Sequence, residues 1–524
     1  MSSGKSGMIR SASAMSVTTM LSRILGYFRD NLQASVLGAA NVSDAFIIAF
    51  RIPNLLRRLV GEGALTSAFV PTFARYLKEG DPEKLWRFAN RMFTTLLLVL
   101  LVITILGIVF SPQIVKVLAY GFKVSPDKWE LTIQLNRLMF PYIFFISLAA
   151  LAGGILNSLG SFALPAFTPV LLNLSIICAA LWFSKSFSSP AYAFAWGVLV
   201  GGCLQLLIQI PPLIKRGMTF RPEVSFTDPG IRQVGRLMLP RIFGAGITQF
   251  NLVIDSQFAS SLASGSVSYL YYAGRVTELT LGIFAISLST VILPMLSQLA
   301  AEGKREEVRQ TLRTAMQLIF FICMPASIGL IVLRVPIISV LFERGRFDAT
   351  ATVFTAEVLA YYSIGLLPFA AVNVLAAAFY AHQDTRTPVK VGALTFGIHL
   401  ALNFALRGPL KAGGIALSTS ISSLLDMALL FVLFSRRRGQ LWDSHLRRSL
   451  LVTCGAGAVM GAVAWGLGRL PWMEGTQPVA IRALALTGAI TVSAGCFFAT
   501  AWIFGSQEVK EVMTLLPARL RRKP

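Results

Sequence analysis

Long stretches of this chain carry no charge at all. Residues 92–110 read Met-Phe-Thr-Thr-Leu-Leu-Leu-Val-Leu-Leu-Val-Ile-Thr-Ile-Leu-Gly-Ile-Val-Phe, and comparable apolar runs recur as far as residue 504. A helix needs about 20 mostly apolar residues to cross a bilayer, and inside hydrocarbon its amides must bond within the segment itself. The runs are too long for the alternating strands of about ten residues that build barrels, so helical spans are expected. Only 14% of the 524 residues are charged, against about 25% in soluble domains, which excludes both a soluble cytosolic enzyme and intrinsic disorder. The fold class expected is an all-α polytopic membrane protein.

Reading for apolar runs broken by charge clusters, Pro or Gly predicts about fourteen spans. They fall near 11–37, 41–60, 88–110, 131–157, 163–183, 190–214, 233–262, 268–300, 308–334, 350–381, 387–407, 412–435, 449–468 and 480–504, with a further short helix over 64–76. Alternate connections hold the Lys and Arg, including Lys215, Arg216, Arg436, Arg437, Arg438, Arg447, Arg448 and the tail Arg519, Arg521, Arg522 and Lys523. Positive residues stay on the cytoplasmic side, so both termini are expected there. This accounts for most of the net charge of +23 as topology and attraction to anionic lipid, and no nucleic-acid partner is expected. The start of the chain reads as no removable signal peptide. Five cysteines, Cys178, Cys203, Cys323, Cys454 and Cys496, lie inside apolar runs without metal or disulfide spacing.

An internal repeat is visible. Residues 30–43 can be laid on 255–268, matching Asp30 to Asp255, Ala34 to Ala259, Ser35 to Ser260, Leu37 to Leu262, Val42 to Val267 and Ser43 to Ser268. After one deletion Ala49 and Arg51 lie on Ala273 and Arg275. Charged residues recurring in two apolar contexts point to two pseudo-symmetric six-helix lobes. The domain organisation expected is an N-lobe over 1–225, a C-lobe over 226–440, and helices 13 and 14 with a basic tail over 441–524.

The first two spans contain Arg23, Arg29, Asp30, Asp44, Arg51, Arg57 and Arg58, and the seventh and eighth contain Arg241, Asp255, Arg275 and Glu278. A central Arg or Asp costs about 2.5 to 3.5 kcal/mol to insert, so several facing lipid would cost on the order of 10 kcal/mol together. Spacings of seven put Arg23 with Asp30, and Asp44 with Arg51 and Arg58, on shared helix faces. Those faces are expected to line a central hydrated cationic cavity, with Arg29 and Arg275 touching substrate and Asp30 and Glu278 neutralising neighbouring arginines. Arg57, Arg58, Arg137 and Arg241 stand nearer span ends, where snorkelling competes with a substrate role. A guanidinium fork holds phosphate oxygens in pairs, so the ligand chemistry expected is an anionic, phosphate-bearing substrate.

Catalytic motifs are missing. Gly4-Lys5-Ser6 mimics the end of a phosphate loop without its first glycine or preceding strand, and His382, His399 and His445 are scattered with no HExxH. The chain is therefore expected not to be an enzyme, and to use an ion gradient, the membrane potential or the substrate's own gradient.

The residues Ser22-Arg23-Ile24-Leu25-Gly26-Tyr27-Phe28-Arg29-Asp30, Ser43-Asp44-Ala45-Phe46, Pro53-Asn54-Leu55-Leu56-Arg57-Arg58 and Glu62-Gly63-Ala64 closely resemble the N-terminal signature of the MurJ (MviN) lipid II flippases. Further matches are Ala68-Phe69-Val70-Pro71, Phe140-Pro141-Tyr142, Ala263-Ser264-Gly265-Ser266-Val267-Ser268, Tyr271-Tyr272-Ala273 and Gln383-Asp384 with Thr387-Pro388-Val389-Lys390. The resemblance implies the multidrug/oligosaccharidyl-lipid/polysaccharide flippase fold, with spans 13 and 14 forming a groove for the undecaprenyl tail. It implies translocation of lipid II, the undecaprenyl-diphosphate disaccharide-pentapeptide, across the bacterial inner membrane, with membrane lipids and the cell-wall synthesis machinery as further partners. It places substrate-binding residues at Arg23, Arg29, Arg57 and Arg275 with Asp30 and Asp44. Asp255, Asn403 and Thr419 correspond to a sodium site found in some members, although Arg407 replaces the second acidic ligand expected one turn after Asn403. No other cofactor is implied. An exporter of another polyprenyl-linked oligosaccharide would share these features. A cation-coupled drug antiporter would instead need a mainly acidic cavity.

Overall fold

The computed structural model describes the backbone of residues 2–57, 65–473, 475 and 477–509, and side chains there except at 2–16, 242–248 and 283–291. Arg58, Glu62, Gly63, Ala64 and the tail arginines lie outside the described residues, as do the side chains of Lys5 and Arg10. Every regular element among the described residues is helical. The chain divides into two compact units, residues 1–268 with 344–347, and residues 269–343 with 348–524.

Unit 1 contains α1 (Ser2–Leu37), α2 (Asn41–Leu56), α3 (Thr66–Glu79), α4 (Pro82–Val109), α5 (Ser111–Ala119), α6 (Pro126–Met139), α7 (Tyr142–Ser158), α8 (Ala163–Phe183), α9 (Ala191–Leu207), α10 (Ile210–Lys215) and α11 (Pro229–Ser260). Two of its longer helices start on the same chemistry. Asp81 accepts from the amides of Glu83 and Lys84, Asp228 accepts from those of Gly230 and Ile231, and a proline follows each aspartate. Such caps satisfy amides that the helix leaves unpaired, and each contributes about 1 kcal/mol. At the end of α1, Gly38 takes φ +72°, and a Cβ there would stand 2.7 Å from the carbonyl oxygen of Arg346. Only glycine lets the chain pass this closely, and the Arg346 amide then donates to the Ser35 carbonyl.

Helices α8 and α9 approach through small residues. A Cβ on Gly197 would lie 2.7 Å from the Cα of Ile176, and one on Gly201 would lie 2.8 Å from Leu172. This small-xxx-small spacing is the usual way for membrane helices to pack closely where no water drives them together. The amphipathic α3 follows a different rule. It buries Phe69 and Phe73 against α4 and α7, with Phe69 stacked on Phe88 at 5.8 Å and Tyr76 on Phe88 at 4.5 Å. The short helix expected over 64–76 is thus present, ending at Glu79.

Unit 2 contains α12 (Ser266–Ala301, most of which belongs here), α13 (Arg305–Val332), α14 (Arg334–Phe342), α15 (Ala349–Ile364), α16 (Leu366–Ala381), α17 (Arg386–Arg438), α18 (Ser444–Gly468) and α19 (Val479–Ile503). Phe321 of α13, Met460 of α18 and Phe497 of α19 share one apolar cluster. The single span expected over 350–381 breaks at Gly365 into α15 and α16. The two spans expected over 387–407 and 412–435 are present as two helices within α17, which meet at a kink at Lys411 with φ 49° and ψ −127°. The turn is tight: a Cβ on Gly414 would stand 2.2 Å from the Leu406 carbonyl oxygen. Among the described residues, nine helical stretches are long and apolar enough to cross a membrane, including α4, α8, α13, α18 and α19.

Candidate substrate site

The charged positions of α1 and α2 are held in unit 1. Six charged residues lie between Val17 and Arg57, a density that hydrocarbon-facing helices do not carry. Arg23 is exposed and makes no ion pair among the described residues. Arg29 is mostly buried and carries a full set of contacts. Its Nε and Nη2 donate to Asp30 Oδ1 at 3.1 and 2.7 Å, and its Nη1 donates to Asn173 Oδ1 of α8 at 3.0 Å. Asn173 in turn donates to the Ser22 carbonyl, so one carboxamide ties the arginine to two helices. The guanidinium is thereby aimed rather than free to rotate. Arg57 folds back on Asn54, donating through Nε and Nη2 at 3.0 and 2.9 Å. Arg51 donates to the Ser256 hydroxyl, tying α2 to α11. Arg137 and Arg241 are exposed.

Asp44 occupies a different setting. It is buried, and Lys128 of α6 stands 2.7 Å from its Oδ2. The same carboxylate accepts from the Gly265 amide at 2.8 Å, the Ser268 amide at 2.9 Å and the Ser268 hydroxyl at 2.6 Å. Ser264 adds a bond to Asn41 at 2.8 Å, and the Gly121 amide donates to Ser260 at 3.2 Å. The α11–α12 turn is thus fastened to the start of α2, with every lone-pair direction of Asp44 engaged. This places Asp44 in a closed clamp.

Arg275 belongs to unit 2. Its Nη1 pairs with Glu278 at 2.9 Å, its Nη2 donates to the Tyr271 hydroxyl at 3.3 Å, and its guanidinium lies 5.1 Å from the Tyr271 ring centre. One face is therefore backed by an aromatic ring, and the side chain keeps 27% exposure. The residues matched to a sodium site are divided, with Asp255 in unit 1 and Asn403 and Thr419 in unit 2. Asn403 is buried against His399 at 3.1 Å, and Thr419 donates to the Ile415 carbonyl. No group of three His, Cys, Asp or Glu side chains is placed to hold a metal among the described residues. The donor set offers one carboxylate and sets a guanidinium, Arg407, one turn from Asn403, a poor fit for a cation.

Sequence reasoning did not single out Lys128, Asn173 or Ser256, and it named Tyr271 and Ser268 only as parts of matched motifs. Asn173 carried a signal, since it is an amide in the middle of the apolar run 170–177. Lys128 carried none, because nothing local connects it to Asp44.

The fold matches an inward-facing multidrug resistance MATE family transporter of the MOP superfamily, with a TM-score of 0.66 at 16% identity over 83% of this chain and 99% of that one. The class is therefore a polytopic helical membrane protein with a transporter fold. The profile of lipid II flippase MurJ matches residues 33–477. A probable lipid II flippase MurJ of Vibrio cholerae is 37% identical over 513 residues, covering 95% of this chain and 96% of its own. Lipid II flippase MurJ of Burkholderia cenocepacia is 34% identical over 505 residues, 95% and 98% of the two chains. The solved structure of lipid II flippase MurJ in an inward closed conformation matches with a TM-score of 0.77 at 28% identity, over 95% of this chain and 99% of that chain. The chain belongs to the lipid II flippase MurJ family.

Proposed function

We propose that this chain moves lipid II, the undecaprenyl-diphosphate-linked peptidoglycan precursor, from the cytoplasmic to the outer leaflet of the inner membrane by alternating access. The observation that carries this is kinship with lipid II flippases along 95% of the chain. Transport requires only that cargo bind differently in two states, so no covalent step is involved. The protein is a flippase and not an enzyme. In this reading about fourteen helices cross the bilayer with both termini cytoplasmic, as the Lys and Arg distribution supports.

Arg29 and Arg275 are assigned to the diphosphate, with Arg23 and Arg57 adding positive charge around the head group. Their settings favour this. Each guanidinium is steered by one carboxylate and one neutral group, which fixes the orientation of its planar fork for phosphate oxygens. Asp30 and Glu278 serve as orienting counter-charges. For the driving force, the membrane potential suits these residues better than sodium, given Arg407 beside Asn403. The undecaprenyl tail is assigned to α18 and α19, where Leu467, Leu470, Ile481, Leu484, Ala485 and Val492 line an apolar cavity of about 430 Å³.

The test is complementation of a flippase-depleted bacterium by wild type, Arg29→Ala, Arg29→Lys and Arg275→Ala, scoring lipid II on the outer leaflet at matched expression. Wild type restores exposure, the alanine variants fail, and Arg29→Lys is impaired because an ammonium cannot serve both Asp30 and Asn173 in one plane. Full activity of the alanine variants would remove these arginines from the substrate site. Failure of wild type would transfer the reading to another polyprenyl-linked cargo.

A further inference from the structure

A second cationic site lies in unit 2, apart from the arginines assigned to the substrate. Arg305 and Arg309 project from the first turns of α13, Arg437 and Arg438 from the last turn of α17, and His382 follows α16. Together with Val308 and Phe434 they line a cavity of about 130 Å³. Val308 and Phe434 are buried and form an apolar floor, and the His382 ring meets Phe434 at 5.9 Å. The His382 Nδ1 donates to the Ala378 carbonyl at 2.9 Å, which fixes the ring.

The charges around this cavity do not cancel. Glu306 pairs with Arg309, and Asp384 lies 3.7 Å from Arg437, whose Nη1 also donates to Thr387 at 2.9 Å. Arg305 and Arg438 have no carboxylate partner among the described residues. Glu302 and Glu307 are taken by Lys304, and Asp443 by Arg313. The Nε of Arg309 is buried without an acceptor. Four guanidiniums therefore face two carboxylates, with an orphaned donor at the wall. An acceptor-rich anion completes this arrangement, and a phosphate group matches guanidinium forks best. The volume is about that of four waters, enough for one phosphate group and too small for a nucleotide or disaccharide.

The cavity opens where α13 begins at Arg305, α17 ends at Arg438 and α16 ends just before His382, which puts it at the membrane surface. In the orientation proposed above that surface is the cytoplasmic leaflet, where anionic phospholipids are held by basic pockets between helices. We propose that this pocket binds the phosphate of an anionic phospholipid headgroup, as a lipid site separate from the transported substrate. The lipid would bridge α13, α16 and α17 at one end of unit 2.

The test is native mass spectrometry of the purified full-length protein, titrated with phosphatidylglycerol, phosphatidylcholine or inorganic phosphate. The variants are Arg305→Gln/Arg438→Gln and, as a charge control, Arg436→Gln, all at exposed positions where folding is not at stake. Wild type and Arg436→Gln retain one tightly bound phosphatidylglycerol that the double variant binds about 30-fold more weakly. Phosphatidylcholine binding is the same in all three. Equal phosphatidylglycerol retention by the double variant overturns the proposal. So does a parallel loss of phosphatidylcholine, which would trace binding to acyl chains. Binding of inorganic phosphate without retention of phosphatidylglycerol overturns the lipid source and leaves a soluble anion site.

Discussion

The buried pair of Asp44 and Lys128 sets a measurable asymmetry. Asp44 is 1% exposed and Lys128 6%, so neither charge can turn to water when its partner is lost. Removing one member of such a pair costs about 3 to 5 kcal/mol, because an uncompensated charge stays behind. The two members are not equally supported. Without Lys128, the Asp44 carboxylate keeps the Gly265 amide, the Ser268 amide and the Ser268 hydroxyl. Without Asp44, Lys128 keeps only the Phe122 ring, 3.9 Å from its ammonium, which contributes about 1 to 2 kcal/mol. Asp44→Asn is therefore expected to cost about 4 kcal/mol and Lys128→Met about 2 kcal/mol. The double variant removes the orphaned ammonium as well as the carboxylate, and should cost about 3 kcal/mol, well short of the sum. The assay is denaturant unfolding in detergent followed by tryptophan fluorescence. Additive single costs, or an Asp44→Asn protein as stable as wild type, would refute the clamp.

Three further outcomes are expected. Gly197→Ala pushes a Cβ to 2.7 Å from the Ile176 backbone and should destabilise by about 1 to 2 kcal/mol, whereas Gly235→Ala, with nothing within 4 Å, should stabilise α11 by up to about 1 kcal/mol; thermal unfolding compares them, and equal shifts would contradict the close α8–α9 contact. Arg482 is buried, donates to Ser339 and pairs with Glu343 at 3.4 Å, so Arg482→Ala should cost roughly 3 kcal/mol and Arg482→Met/Glu343→Gln should recover part of it, as limited proteolysis would report. Asp384 has its pKa held below the ordinary value by the Thr387 hydroxyl, opposed by desolvation, with the Thr387 amide and the Arg437 charge adding to the lowering. A depressed carboxylate stabilises above its unfolded value and loses that contribution as pH falls through the folded one. Amide protection at the α16–α17 turn, taken relative to the intrinsic exchange rate at each pH, should therefore be high at neutral pH and fall below about pH 4, and Asp384→Asn should abolish that fall.

These tests bear on what a sequence can and cannot disclose. Apolar length decides α4, α8, α13, α18 and α19 almost unaided, because a run of about 20 uncharged residues has only one inexpensive conformation in a bilayer. Lys411 adopts φ 49° at a place where Gly413 and Gly414 advertise a turn, and the two expected spans are the two helices that meet at this kink. Charges were legible as anomalies, since Arg29, Asp44 and Arg275 stand out against their apolar neighbours. Their partners were not. Arg29 could be matched to Asp30 by adjacency, but its third contact, Asn173, lies 144 residues away, and Lys128 lies 84 residues from Asp44. Spacing rules reach about two helical turns, whereas a buried charge is satisfied by whatever the fold brings to it. The sequence therefore exposes where charge must be accommodated, and only the packing distinguishes an arginine aimed by its neighbours from an aspartate sealed in a clamp. That distinction separates Arg29 and Arg275, whose planar forks are held in fixed orientations by a carboxylate and a neutral group, from Asp44, whose oxygens are already fully engaged.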